Sequence, residues 1–337
     1  MTTPVTDPPT HRALRWPVRA GIGLVIGIAI ILAMLRIQAA DSSTRSIWNS
    51  THHVSLGWAG AAIACQLVAY CVPPLLLARL VAGTPVRTWT AARITFAAIG
   101  VGNLVPGQPA TETLIAYREL SARGVSRAQA VAAPLVMLVA VPTITMALLA
   151  GPTLLITGAG LGLPSGWRIP VLAAGALATV LGIGFVTLAL VSRIRARLPQ
   201  ILRADPILTT MGGPSGAGVL VGLAFIGFSA DSLALYSAGH AVGANLPLAA
   251  LPVAYIVATA ATAIPVLPGG LGAVEVAVPL VFAAAGANYA DAVLGVLAWR
   301  VLQFWIPTLA GLGAYLSLAI ERRRRNRRAA TGLPDLS

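Results

Sequence analysis

Long apolar stretches, separated by short segments that are either rich in arginine or free of charge, set the plan of this chain. Val18 to Ile37 supplies about 20 residues, enough for a helix to cross a bilayer core. A cleaved signal peptide is the competing reading, because Ala39 and Ala40 follow. The stretch exceeds the roughly 7 to 15 residues of a signal core, which favours an anchor. Val54 to Val81 predicts a second span, interrupted late by Pro73 and Pro74, and Ala128 to Thr157, Ile169 to Val191, Gly216 to Ala241 and Ala292 to Ile320 predict four more. Two further apolar stretches are broken inside. Ile94 to Ala116 carries NLVPGQPATE (Asn103 to Glu112), and Leu248 to Gly286 carries PGGLGAVE (Pro268 to Glu275). Proline removes a backbone donor and glycine favours irregular backbone, so both should break a helix. Irregular backbone beside an acid at membrane depth is tolerated only where protein or a water-filled cavity covers it.

Arginine placement assigns sides. Arg79, Arg87 and Arg93 precede the first broken stretch and Arg118, Arg123 and Arg127 follow it; both groups are expected in the cytoplasm, where positive loops concentrate. Two cytoplasmic loops cannot flank one crossing, so Ile94 to Ala116 should enter and leave on one side as a re-entrant hairpin. Arg193, Arg195, Arg197 and Arg203 mark a third cytoplasmic group, and the tail ERRRRNRR (Glu321 to Arg328) a fourth. The second broken stretch lies between arginine-free segments, around Asn245 and at Gly286 to Asp291, so its hairpin should open to the outside. Two ordinary spans joined by the Pro-Gly-Gly turn are the alternative. The expected fold class is an all-α polytopic membrane protein, with about six full spans plus two re-entrant or broken-helix hairpins and both termini cytoplasmic.

Composition agrees with that class. The 337 residues are 57% hydrophobic and only 10% charged, with a mean hydropathy of +0.83, against roughly 25% charged residues in a soluble domain. The net charge of +13 raises the question of nucleic acid, but all 23 basic residues are arginine and cluster between or beyond apolar runs. That pattern suits anionic lipid head groups at a cytoplasmic leaflet and not a nucleic-acid partner. Arginine without any lysine also points to a GC-rich bacterial genome, hence to a bacterial inner (plasma) membrane. Cys65 and Cys71 share one apolar run and read as packing residues.

The two broken stretches also align. With Pro106-Gly107 and Glu112 set against Pro268-Gly269 and Glu275, each glutamate is followed by a glycine (Gly124, Gly286) and then by an Ala-Val pair (Ala130-Val131, Ala292-Val293) that opens a long span. Each unit therefore reads span, hairpin, span. Opposite sides for the two hairpins make the units, about 54–157 and 216–320, an inverted repeat, the architecture of many secondary transporters. Residues 1–17 read as a disordered cytoplasmic lead, 18–320 as the transmembrane domain and 321–337 as a basic cytoplasmic tail.

TAIPVLPGGLGAVEVAVPLVFAAAG (Thr262 to Gly286), with LAWR ending at Arg300 and with Pro307 and Gly311, resembles the transmembrane, flippase-like domain of the lysylphosphatidylglycerol synthase family. GNLVPGQPATETLIAYREL (Gly102 to Leu120) resembles that family's first signature in a degraded form. The family pattern there is closer to Pro-Gly-Arg-x-Gly-Glu, whereas Gln108 and Pro109 stand here, and Leu138 stands where symmetry with Arg300 asks for an arginine. The resemblance implies moving or holding a phospholipid or lipid-linked glycan between leaflets. It implies no lysyl transfer by this chain, which ends at Ser337 without the soluble aminoacyltransferase domain.

Glu112, Asp231, Glu275 and Arg300 are the ionisable residues within spans, each costing roughly 2.5 to 3.5 kcal/mol if it faced lipid. They are the expected substrate-binding residues, together with Asn103 and the breaking glycines Gly269, Gly270 and Gly272. Arg300 could fork onto a lipid phosphate or pair with Glu275 or Asp231. Glu112 and Glu275 could meet an amine-bearing head group, relay protons or cap the half-helices that follow the breaks. Asp231 has Ser229 and Ser232 nearby to satisfy it. His240, His52 and His53 sit at membrane edges as solvated histidines, and no metal, cofactor or catalytic motif is found. Two alternatives to a translocator stay open: a non-transporting scaffold that recruits a glycosyltransferase or lipid synthase, and an intramembrane lipid-modifying enzyme.

Overall fold

The computed structural model describes residues 54–140, 213–262 and 268–331. The expected spans at Val18 to Ile37 and Ile169 to Val191, the far half of Ala128 to Thr157, the arginine loop at 193–203, His52, His53 and both chain ends lie outside the described residues.

Helix is the only regular structure among the described residues: α1 (Leu56–Leu80), α2 (Thr88–Gly102), α3 (Gln108–Ser121), α4 (Arg127–Leu135), α5 (Gly213–Ala241), α6 (Leu251–Thr262), α7 (Ala273–Ala284), α8 (Tyr289–Arg300) and α9 (Ile306–Thr331). The segments Leu56–Leu80, Gly216–Ala241 and Tyr289–Arg325 are long and apolar enough to cross a membrane. Their outward faces carry exposed large apolar side chains, among them Leu56 (84% exposed), Leu67, Ile226, Leu309 and Leu316. A soluble surface would not leave so much apolar area uncovered.

α1 runs unbroken through Pro73 and Pro74, against the expected interruption. The two prolines cannot donate to the carbonyls of Ala69 and Tyr70, but neighbouring helices hold the backbone in helical form, a tolerance common in membrane bundles.

Both broken stretches form helix-turn-helix hairpins. α2 packs on α3 and α6 on α7, and the turns use glycine where a side chain would be strained. Gly107 has φ 79°. Gly269, Gly270 and Gly272 have φ 55°, 67° and 88°, and a Cβ on Gly270 would stand 2.8 Å from the Thr262 Cα. The two halves also pass through the same backbone events. After each acid-bearing helix comes a positive-φ glycine (Gly124, Gly286), an N-cap (Ser126, Asn288), a helix (α4, α8) and a five-residue π-helical turn (Val136–Ala140, Val301–Trp305).

The bundle is held by two main contacts, α1 on α5 and α2 on α9. At one end, the Ser55 N–H donates to the Ala241 carbonyl, and Gly295 of α8 packs against Gly239 of α5. At the other end the arginines gather. Arg93 binds Ser317 and Glu321, Arg123 binds Glu119 at 2.6 Å and Glu321 at 3.5 Å, and Arg322 also reaches Glu119. Among the described residues, Arg93, Arg123 and Arg322, from segments assigned by arginine content to one side, therefore meet at one end of the bundle.

Candidate functional site

Of the sequence-selected residues, Glu275 and Arg300 come together most tightly. Glu275 opens α7, and its position three residues after Gly272 lets Oε2 accept the Gly272 N–H at 2.7 Å, which closes a capping box. Its Oε1 accepts from Arg300 Nε at 2.7 Å. Arg300, at the end of α8, gives Nη1 to Gln303 Oε1 at 2.9 Å and Nη2 to the Gly269 carbonyl at 2.9 Å. Its guanidinium carbon lies 4.5 Å from the centre of the Phe304 ring. Glu275 is 1% and Arg300 2% exposed. Of the alternatives open for these two residues, capping and mutual pairing are the arrangement seen, and they fasten the Pro268–Gly270 turn to α8.

The remaining acids face a different space, a cavity of ≈ 370 Å³ in the middle of the bundle. That lies within the roughly 300 to 1,000 Å³ of small-ligand sites. Its first wall carries Gln66 and Tyr70 from α1, Thr95 from α2, Asn103 at the tip of the first hairpin, and Gln108 and Glu112 from α3. The facing wall carries Asp231 from α5, Tyr255 from α6 and Trp299 from α8. Glu275, Arg300 and the three glycines of the second turn do not line it, and neither does any arginine among the described residues.

Asp231 is half-buried and held from across the bundle, not by its neighbouring serines. Oδ2 accepts from the Tyr255 hydroxyl at 2.7 Å and Oδ1 from the Trp299 indole N–H at 2.9 Å, and Gln66 is bonded to the same carboxylate. Ser232 instead donates to the Ser229 carbonyl. Glu112 lies a full turn into α3, too far from the Gly107 N-cap position to close a capping box, and its Oε1 accepts from Gln108 Nε2 at 2.8 Å. Asn103 Nδ2 donates to Thr308 Oγ1 at 2.8 Å, tying the first hairpin's tip to α9. Leu138 also lines this cavity, so the place that matches Arg300 in the first unit presents an apolar side chain there.

His240 stands apart. Its Nδ1 is 3.1 Å from the Tyr236 carbonyl, and its ring packs beside those of Trp58 and Tyr236. Cys65 and Cys71 are both free, the first part-buried against the core and the second exposed. No group of three metal-ligating side chains occurs among the described residues.

An inventory of charges could not find Gln66, Thr95, Tyr70, Tyr255 or Trp299. Gln66 and Thr95 were visible only as uncharged polar residues inside apolar runs, which in lipid also demand a partner.

Comparison with known proteins fits this architecture. Across residues 22–311 the chain matches the model of the lysylphosphatidylglycerol synthase TM region. Over 87 residues it is 34% identical to a UPF0104 membrane protein of Pyrococcus horikoshii, a match covering 26% of this chain and 26% of that relative. The family match takes in both hairpins, the buried Glu275–Arg300 pair and every described wall of the cavity: the chain is a membrane protein of the lysylphosphatidylglycerol synthase transmembrane-region family.

Proposed function

We propose that this protein binds the head group of a membrane lipid in the cavity between its hairpins and carries it between leaflets. The observation that supports this most is a head-group-sized cavity into which two acids and several neutral polar side chains reach, inside a bundle whose outer faces are apolar. Polar side chains at membrane depth are expensive, and function is the usual reason they stand there. In this reading Glu112, Asp231 and Asn103 contact the lipid. Glu275, Arg300, Gly269, Gly270 and Gly272 fix the turn beside it.

The membrane arrangement belongs to the same proposal. Six crossings and two re-entrant hairpins form units related by inversion, with both termini cytoplasmic in a bacterial plasma membrane. The repeated order of positive-φ glycine, N-cap, helix and π-helical turn supports a common unit. Convergence of Arg93, Arg123 and Arg322 on Glu119 and Glu321 supports a common side for their loops. Anionic lipid head groups are the expected contacts of the exposed tail arginines.

Reconstitution into vesicles tests the function. Leaflet exchange of a labelled phospholipid or glycolipid above the protein-free rate, reduced at least about tenfold in Asp231→Asn, is expected. Exchange at the protein-free rate across a broad lipid panel would favour the scaffold for a glycosyltransferase or lipid synthase, and head-group turnover the intramembrane enzyme.

A further inference from the structure

The hydrogen bonding left unmet in the cavity is nearly all of one kind. Oε1 of Gln66, Oε1 of Gln108 and Oγ1 of Thr95 are buried without a partner, and these residues reach the cavity from three helices. On the same wall, Pro73 and Pro74 leave the Ala69 and Tyr70 carbonyls without their helical donors. Buried acceptors without partners are costly, at about 1 to 3 kcal/mol each, so a site that keeps several is built for something that donates.

Most donors on these walls are engaged elsewhere. The Tyr70 hydroxyl goes to the Leu302 carbonyl, the Tyr255 hydroxyl and the Trp299 indole N–H go to Asp231, the Gln108 amide goes to Glu112, and the Asn103 amide goes to Thr308.

Charge narrows the ligand further. A phosphate would meet two carboxylates and no arginine among the described lining residues. An ammonium group would find both Asp231 oxygens and one of the two Glu112 oxygens already accepting hydrogen bonds. Beside these carboxylates stands a set of neutral oxygens on three helices, with Tyr70, Tyr255 and Trp299 also in the lining. That set matches several hydroxyl groups on one small framework.

Resting on the head-group reading above, we propose that the cavity's ligand is the uncharged, hydroxyl-rich head group of a glycosylated lipid, whose hydroxyls donate to Gln66, Thr95 and Gln108.

The test uses the full chain in detergent, titrated with monoglucosyl-diacylglycerol, phosphatidylethanolamine and phosphatidic acid of identical acyl chains, with bound lipid counted by native mass spectrometry. The glucosyl lipid should bind at least about tenfold more tightly than the other two. Gln66→Met and Thr95→Val should each weaken it about three- to tenfold, the loss of one neutral hydrogen bond, while leaving phosphatidylethanolamine unchanged. Thr95→Ser, which keeps the hydroxyl, should bind as the parent does and so separates lost bonding from lost folding. Tighter binding of either charged lipid, or parental glucosyl-lipid binding by both Gln66→Met and Thr95→Val, overturns the assignment. The same lipids in an exchange assay separate the two readings. Exchange with no preference for the glucosyl lipid overturns the ligand and leaves translocation standing. Variant-sensitive glucosyl-lipid binding without exchange of any lipid keeps the ligand and overturns translocation.

Discussion

After Gly272, Glu275 turns one oxygen back onto the break and gives the other to Arg300; after Gly107, Glu112 is steadied by Gln108 alone and faces the cavity. The two hairpins follow the same backbone plan and use their acids in opposite ways. The difference traces to where each acid stands after its break and to whether a cation faces it. Where α8 ends in Arg300, the acid of its hairpin is paired, capped and shut away. Where Leu138 stands at the matching place, no arginine among the described residues lines the cavity and Glu112 faces it. Within one fold, an acid that follows a Pro-Gly break is therefore shut away or left facing a cavity according to whether a cation stands beside it.

The largest expected effect comes from breaking the closed side. Arg300→Met leaves Glu275 buried without its cation and should cost about 3 to 5 kcal/mol, read as a fall in detergent-solubilised thermal stability. Replacing both partners, as Glu275→Leu with Arg300→Met, should recover part of that loss, because no unpaired charge is left, while the Gly272 N–H and the Gly269 carbonyl still lose their partners. Gly270→Ala forces a side chain into positive φ against the Thr262 Cα, and about 1 to 3 kcal/mol should be lost in the same measurement. Asp231→Asn turns an amide donor toward either Tyr255 or Trp299, for a cost of about 1 to 3 kcal/mol together with weakened lipid retention. Glu112→Gln should leave stability within about 0.5 kcal/mol and yet lower exchange, the combination expected of a ligand-facing side chain. Leu138→Arg sharpens the contrast from the other direction. A guanidinium at the cavity should raise retention of phosphatidic acid relative to the glucosyl lipid.

Much of the described architecture was legible in the residues. Pro-Gly runs inside apolar stretches located both hairpin turns, because few other signals override helix formation in a span. Arginine grouping put Arg93, Arg123 and the tail on one side, and in the structure both arginines pair with Glu321 at the start of that tail. Pro73 and Pro74 misled, since their effect depends on whether neighbouring helices hold the chain, and packing of that kind is not written locally. The site was half legible. Glu112, Asp231 and Asn103 were found through charge and through the break, whereas Gln66 and Thr95 matter as unmet acceptors, a property that exists only once three helices have been brought together. The pairing of Glu275 with Arg300 was one of several arrangements open to the sequence. The capping geometry at Gly272 selects it by fixing where the carboxylate points.

Leaflet exchange per folded molecule, measured in vesicles for Asp231→Asn and for the double replacement Glu275→Leu, Arg300→Met, tests the central claim most directly. The double variant is expected to exchange lipid within about threefold of the parent while Asp231→Asn falls at least about tenfold. Parental exchange by Asp231→Asn, with loss in a double variant that is folded, would contradict it and move the working site to the ion pair.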